Sequence, residues 1–169
     1  METINIYGDN RFEIHTKIRE ACRGIVVRDG TLLLSYSVNT DHWLLPGGGL
    51  EDQESKEQCC VRELAEETGY IVKPLYHFAT INEYYEEWLF ISNYFVCEIA
   101  GETQRLLTER EKEVGLEPRW IPLEDALTLF SRHQDYASDE MKRGAYLREY
   151  TALTAYMLLA DYKDNGEDS

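Results

Sequence analysis

Residues 45–70 read LPGGGLEDQESKEQCCVRELAEETGY, and they decide the fold because they join a proline–glycine break to an acidic helix. Pro46 and the three glycines after it end any regular element, which predicts a loop. Glu54 and Ser55 then open a helix carried to about Thr68. Ser55 is the N-cap candidate, acidic residues fill the first turn, and Gly69 is the stop signal. Cys60, Val61, Leu64 and Ala65 are the positions expected to be buried. On such a helix Glu63 lies four residues from Glu67 and three from Glu66, so the three carboxylates converge on one face. Each exposed like-charge pair costs roughly 0.2–0.5 kcal/mol, and the second half of a helix disfavours negative charge. Charge alone would read as the solvated face of an acidic protein. A bound divalent cation reverses the preference, because Mg²⁺ takes oxygen ligands from carboxylates, water and phosphates. A zinc site would recruit His or Cys, and no histidine lies in this helix.

The whole chain is acidic as well. With 32 Asp and Glu against 17 Lys and Arg, the formal charge is −15. This argues against nucleic-acid binding, which needs a positive surface to displace counterions from phosphates. A phosphate-bearing small substrate would need a cation between itself and the carboxylates. A length of 169 residues suits one domain over residues 1–169, with a core at about 19–131 and a C-terminal helix at about 138–162. Cys22, Cys59, Cys60 and Cys97 show no CxxC spacing and read as free thiols in a reducing compartment. No apolar stretch approaches the roughly 20 residues of a membrane span, and METINIYGDNRFE lacks a basic region followed by an apolar one. The expectation is a cytoplasmic protein without a membrane partner.

Outward from the helix, residues 19–37 form a candidate hairpin. Two apolar runs flank Asp29-Gly30, a pair that readily takes the positive φ of a tight turn. A short strand at residues 42–45 precedes the glycines. Runs at 75–82 and 88–99, rich in aromatic and β-branched residues, predict two strands joined by a loop at 83–87. A charged loop, 101–118, leads to a short strand at 119–121, a brief helix at 122–130 and a longer one at 138–162. Met141, Ala145, Leu147, Tyr150, Leu153, Met157 and Leu158 give that last helix its apolar spacing. The tail KDNGEDS is expected to fray. Strands, helix, strands and helices in this order predict an α+β or mixed-sheet α/β protein.

The spacing of the quoted segment is more specific than its charge. Gly48, Glu54, Arg62-Glu63-Leu64, Glu66-Glu67 and Gly69-Tyr70 follow the pattern Gx5Ex7REUxEExGU, in which U is a bulky apolar residue. Seven fixed residues at a frequency of about 0.06 each make a chance match on the order of 10⁻⁹ at one start. The segment resembles the Nudix box. The preceding hairpin, the LPGGG turn, the strand pair and Trp120-Ile121-Pro122-Leu123-Glu124 extend the resemblance over roughly residues 21–129. Tyr70 and Gln53 depart from the commoner choices without removing a charged group.

This resemblance implies an α/β/α sandwich with a mixed sheet, and Mg²⁺-dependent hydrolysis of a diphosphate linkage in a nucleoside diphosphate derivative, with Mn²⁺ as a substitute. Glu63, Glu66, Glu67 and the Gly47 carbonyl are the implied metal ligands. Glu54 and Arg62 are implied to tie the loop to the helix through a charge-assisted bond, and Glu54 could also touch a metal through water. The general base is open between Glu66 and the loop residues Glu109, Glu111 and Glu113. A nucleoside triphosphate is the first substrate class, with nucleotide sugars and dinucleoside polyphosphates next; a non-catalytic nucleotide-binding sensor module is the alternative. Arg19, Arg23 and Arg28 could meet a phosphate, and Tyr36, Trp43, Tyr84, Tyr85 and Trp88 could stack on a base, although surface or packing roles compete for each. The long C-terminal helix is compatible with a homodimer or with packing on its own sheet.

Overall fold

The computed structural model describes residues 1–164. Strands β1 (Glu2–Tyr7), β2 (Lys17–Ile25), β3 (Val27–Arg28), β4 (Thr31–Ser37), β5 (His42–Leu44) and β6 (Gly47–Gly49) precede helix α1 (Lys56–Thr68). After it come β7 (Tyr70–Tyr85), β8 (Trp88–Glu102), α2 (Glu109–Glu113), β9 (Leu116–Pro122), α3 (Leu123–Ser131), a 3₁₀ turn at His133–Tyr136 and α4 (Glu140–Asp164). The tail read as frayed therefore begins inside α4, and residues 165–169 lie outside the described part.

One sheet has the order β1-β7-β8-β2-β6, and a second is built from β3, β4, β5 and β9. β2 runs parallel to β8 and β1 parallel to β7, while the other pairings are antiparallel, so the structure is mixed. Alternation along the strands feeds two cores. Cys22, Val26, Leu33, Phe95 and Cys97 pack with Cys60 and Leu64 of α1. Ile25, Leu32, Leu34, Ile81 and Tyr94 pack with Phe130 of α3 and Tyr146 and Leu153 of α4. Helices thus cover both faces, the layered α/β/α arrangement that the resemblance to the Nudix box implies. The four cysteines are free and buried, and no helix among the described residues is long and apolar enough to cross a membrane.

Several elements differ from the sequence expectation. β1 was not anticipated; its alternating Ile4 and Ile6 face the α4-side core. The hairpin at Asp29-Gly30 forms with both residues at positive φ (51° and 74°). Its first arm is shared between the sheets, however, since β2 leaves to pair with β8. The glycine segment is a short strand, not a loop: Gly47–Gly49 pairs with Ala21–Arg23, and at Gly47 a Cβ would run into the β2 backbone. The loop expected at 83–87 shrinks to Glu86-Glu87, because Glu83–Tyr85 remain paired with Trp88–Phe90. The charged loop contains α2, held by a capping box between Thr108 and Glu111.

Helix α1 is as expected. Ser55 accepts from the Gln58 N–H, Gln58 returns a bond to the Ser55 N–H, and Gly69 closes the helix at φ 78°. Its buried face is Cys59, Cys60, Leu64 and Thr68, so Val61 and Ala65 are only partly covered. Helix α4 packs on its own sheet through Tyr146, Ala152 and Leu153, whereas Met141 and Leu158, read as part of its apolar stripe, are exposed.

Removing the Ser55 hydroxyl by Ser55→Ala is expected to cost about 1 kcal/mol of stability. Urea unfolding measures this, and a loss near zero would show that the cap is dispensable.

Candidate active site

The geometry starts from Arg62, midway along α1. Its guanidinium donates to Glu54 (2.7 and 3.0 Å), Glu63 (2.8 Å), Glu66 (3.3 Å) and the Gly49 carbonyl (2.9 Å). One side chain thereby ties the glycine strand, the following loop and the helix together. The expected Glu54–Arg62 bond is present in bidentate form. Arg62 in turn holds the Glu54 carboxyl below its ordinary range, through their hydrogen bond above all.

Glu67 behaves differently. Its carboxylate accepts from the Ser35 hydroxyl (2.7 Å) and the Gly47 N–H (3.2 Å), both neutral donors. Burial pushes its pKa up to about 7, against the opposing pull of those two bonds and of Arg23. Burial also raises the Glu63 pKa, with Arg62 working against it and Glu66 and Glu111 adding to it. α1 therefore presents two partly desolvated carboxylates one turn apart. Both line a cleft of about 850 Å³, together with Gly47, Gly48 and Gly49. A Cβ on Gly48 would collide with the Glu63 carboxylate, and one on Gly47 with the backbone of β2. Gly47 also sits at φ 148°, where an L side chain is strained.

The other predicted residues are placed less uniformly. Glu66 bonds to Arg62 and is not among the residues lining the cleft. Of the three loop candidates for general base, Glu111 lines the cleft. Glu109 pairs with Lys112 (2.8 Å) and Glu113 is exposed. Arg19 and Arg23 line the cleft, while Arg28 stacks on Trp120 at 4.3 Å. Tyr85 and Trp88 also line it; Tyr36 and Trp43 stack on each other at 4.1 Å, and Tyr84 on Tyr7 at 5.1 Å.

Among the described residues, no three His, Cys, Asp or Glu side chains are already gathered as a metal site. Glu63 and Glu66 are held toward Arg62, and Glu67 toward Ser35 and the Gly47 N–H. The donors still suit a hard divalent cation. They are oxygen atoms, two belong to carboxylates whose burial calls for positive charge, and the glycine strand leaves room beside them.

Sequence reasoning missed a second charged group on the far wall. Arg148 of α4 lines the cleft and donates to Glu149 (2.7 Å) and Glu83 (3.3 Å). Glu149 and Glu83 are almost fully buried, at 0% and 3% exposure. A signal existed: Tyr146, Glu149 and Leu153 share one helical face, which puts a carboxylate in the apolar stripe.

In chelator, the neutral form of Glu67 should stabilise the fold below about pH 4.5, its ordinary value, and that contribution should fade as pH rises through about 7. Glu67→Gln is therefore expected to raise the melting temperature at about pH 8 by roughly 5 °C relative to wild type, with little change near pH 4. Calorimetry in EDTA checks this; a lower melting temperature for the variant at both pH values would contradict it.

A family model for the NUDIX domain matches residues 18–141 of the chain. Diphosphoinositol polyphosphate phosphohydrolase 3-alpha of Mus musculus is 29% identical over 117 residues, 68% of this chain and 68% of that protein. Diphosphoinositol polyphosphate phosphohydrolase 2 of Homo sapiens is 26% identical over 118 residues, which span 68% of this chain and 62% of that protein. Among solved structures, a NUDIX hydrolase from Nitrosomonas europaea superposes with a TM-score of 0.57 at 19% identity, covering 80% of this chain and 90% of that one. A MutT NUDIX hydrolase from Burkholderia pseudomallei gives 0.51 at 20% identity, covering 64% and 85%. At such identities the structural likeness speaks for the fold.

Proposed function

The chain belongs to the Nudix hydrolase family, and on that premise we propose that it hydrolyses a diphosphate linkage in a phosphorylated small molecule with the help of a divalent cation. The observation that carries this reading is the pair Glu63 and Glu67, two desolvated carboxylates that face one cleft beside the glycine strand. Glu63, Glu67 and the Gly47 carbonyl would hold Mg²⁺ or Mn²⁺, with Glu66 as a further ligand once released from Arg62. Such an ion supplies charge neutralisation for the diphosphate and a more acidic bound water.

The remaining work falls to the chain's own side chains. Arg62 and Glu54 tie the glycine strand to α1 and so fix the distance between them, while Glu66 would turn from Arg62 to the cation when it binds. Glu111 is the best-placed general base, since it lines the cleft and its charge is felt by Glu63. At its Oε atoms it would take the proton of the attacking water. Arg19 and Arg23 of β2 would supply positive charge for the substrate's phosphates, and Tyr85 and Trp88, at the ends of β7 and β8 in the same sheet, would offer aromatic surface.

The substrate class has two supports that point apart. The aromatic surface suits a nucleobase, which keeps nucleoside triphosphates and other nucleoside diphosphate derivatives in play. The relatives named for diphosphoinositol polyphosphates suggest a more highly phosphorylated ring. A sensor module that binds a nucleotide without turning it over is the competing reading; the complete set of charged box residues speaks for catalysis.

Phosphate and pyrophosphate release from nucleotides and from diphosphoinositol polyphosphates, with and without Mg²⁺, tests the proposal. Turnover should require the metal, fall at least about 100-fold in Glu67→Gln, and fall about 100-fold in Glu111→Gln with KM little changed. Tight nucleotide binding without turnover would favour the sensor. Full activity of Glu67→Gln in chelator would refute the metal assignment.

A further inference from the structure

The NUDIX match ends at residue 141, yet α4, which begins at Glu140, reaches the cleft and the chain segment that feeds it. Glu149 is fully buried and is satisfied by three donors: the Leu45 N–H (2.8 Å), the Tyr94 hydroxyl (3.0 Å) and Arg148 Nε (2.7 Å). The carbonyl of the same Leu45 accepts from Arg23 Nη1 at 3.1 Å, and Arg23 Nε stands 3.9 Å from Glu149 Oε1. Two residues before Leu45, the Trp43 N–H donates to the Tyr146 hydroxyl of α4 at 3.2 Å. Both peptide groups of Leu45 are therefore held by charged side chains, one of them from α4.

Leu45 lies two residues before Gly47, whose N–H donates to Glu67. Pro46 between them is buried and its carbonyl accepts from the Gly24 N–H at 3.1 Å, which leaves the segment little freedom to swing. A shift of Leu45 is thus passed along a restrained stretch of backbone to the donor that fixes the Glu67 carboxylate. A hydrophobic side chain at position 149 could fill the same space. It could not accept the Leu45 N–H, and a buried carboxylate beside two guanidinium groups is a costly way merely to pack a helix.

We propose that Glu149 is a positioning residue for the active site: through Leu45 it sets the placement of Gly47, and through Gly47 that of the Glu67 carboxylate. α4 is then part of the working enzyme and not only a cover for the sheet. This rests on the metal-dependent reading above for its effect on activity, but the coupling of Glu149 to Gly47 stands apart from it.

The test uses the full chain and Glu149→Gln, which keeps the volume but sets an amide N–H₂ against Arg148 or Tyr94. Hydrogen exchange read by NMR should be about tenfold faster at both Leu45 and Gly47. The Mn²⁺ dissociation constant from calorimetry should rise about tenfold, as for loss of a partner that orients a ligand. In turnover, kcat should fall while KM stays within about twofold. Leu153→Ala, a packing change on the same helix, should lower the melting temperature and leave Gly47 exchange and Mn²⁺ affinity as in wild type. If Glu149→Gln does not fold, Tyr94→Phe removes one of the three donors and should move the same quantities at least about twofold. Faster exchange at Leu45 with Gly47 unchanged, in whichever variant folds, would overturn the proposal. Should wild type bind no Mn²⁺, the metal reading fails, and Gly47 exchange still decides this one.

Discussion

The fork of Arg62 is the interaction on which the site depends. Three carboxylates, Glu54, Glu63 and Glu66, and the Gly49 carbonyl all point at one guanidinium. Without it, mutual repulsion would push the glutamates of α1 apart and release the loop from the helix. With it, an acidic helix can be docked against a sheet and still leave Glu67, beyond the reach of the fork, facing the cleft. The arrangement satisfies the charges on one side and leaves a deficit of positive charge on the other.

That deficit becomes useful only because the backbone comes close. β6 is three glycines paired to β2, so there is no side chain between the sheet and the Glu63 carboxylate. Arg23 projects from the opposite face of β2 to Cys22, which packs under α1. One strand therefore supplies the apolar floor of the helix and a cation for the cleft. Across the sheet, α4 closes the other core and brings Arg148 and Glu149 to the same place. Arg148 pairs with Glu83 and Glu149, and Arg23 stands 3.9 Å from Glu149, so the buried carboxyl groups beside the apolar core have basic partners.

The α1 segment was the most legible part of the chain because its signals are local. A cap, an acidic first turn, a stop glycine and a fixed spacing all lie within 26 residues, and the Glu54–Arg62 bond is what the resemblance carried by that spacing implies. The three box glutamates could be recognised but not sorted. Which of them faces the cleft depends on the helix's rotation against β6, a tertiary quantity, and Glu66 falls on the side of Arg62. The glycine strand was read as a loop because glycine has no propensity that marks an edge strand; its pairing is set by the close approach to β2. Glu149 escaped notice since a carboxylate in an apolar stripe looks like a surface residue until Arg23 of β2, Leu45 after β5 and Tyr94 of β8 are brought to it by the fold. Glu111 could not be separated from Glu109 and Glu113 for a related reason: α2 is a short helix inside a charged loop, and which of its glutamates lines the cleft depends on how the fold places it.

The central claim is that Glu63 and Glu67, beside the glycine strand, hold the catalytic cation. Titrating isotopically labelled protein with substoichiometric Mn²⁺ and following backbone amide signals tests it most directly. The account predicts that Gly47, Gly48, Ser35 and the amides of Glu63 and Glu67 broaden first, while Gly30 and Gly115 keep their intensity. Broadening centred on the exposed acidic stretch of Glu109–Glu113, with the glycine strand unaffected, would contradict it.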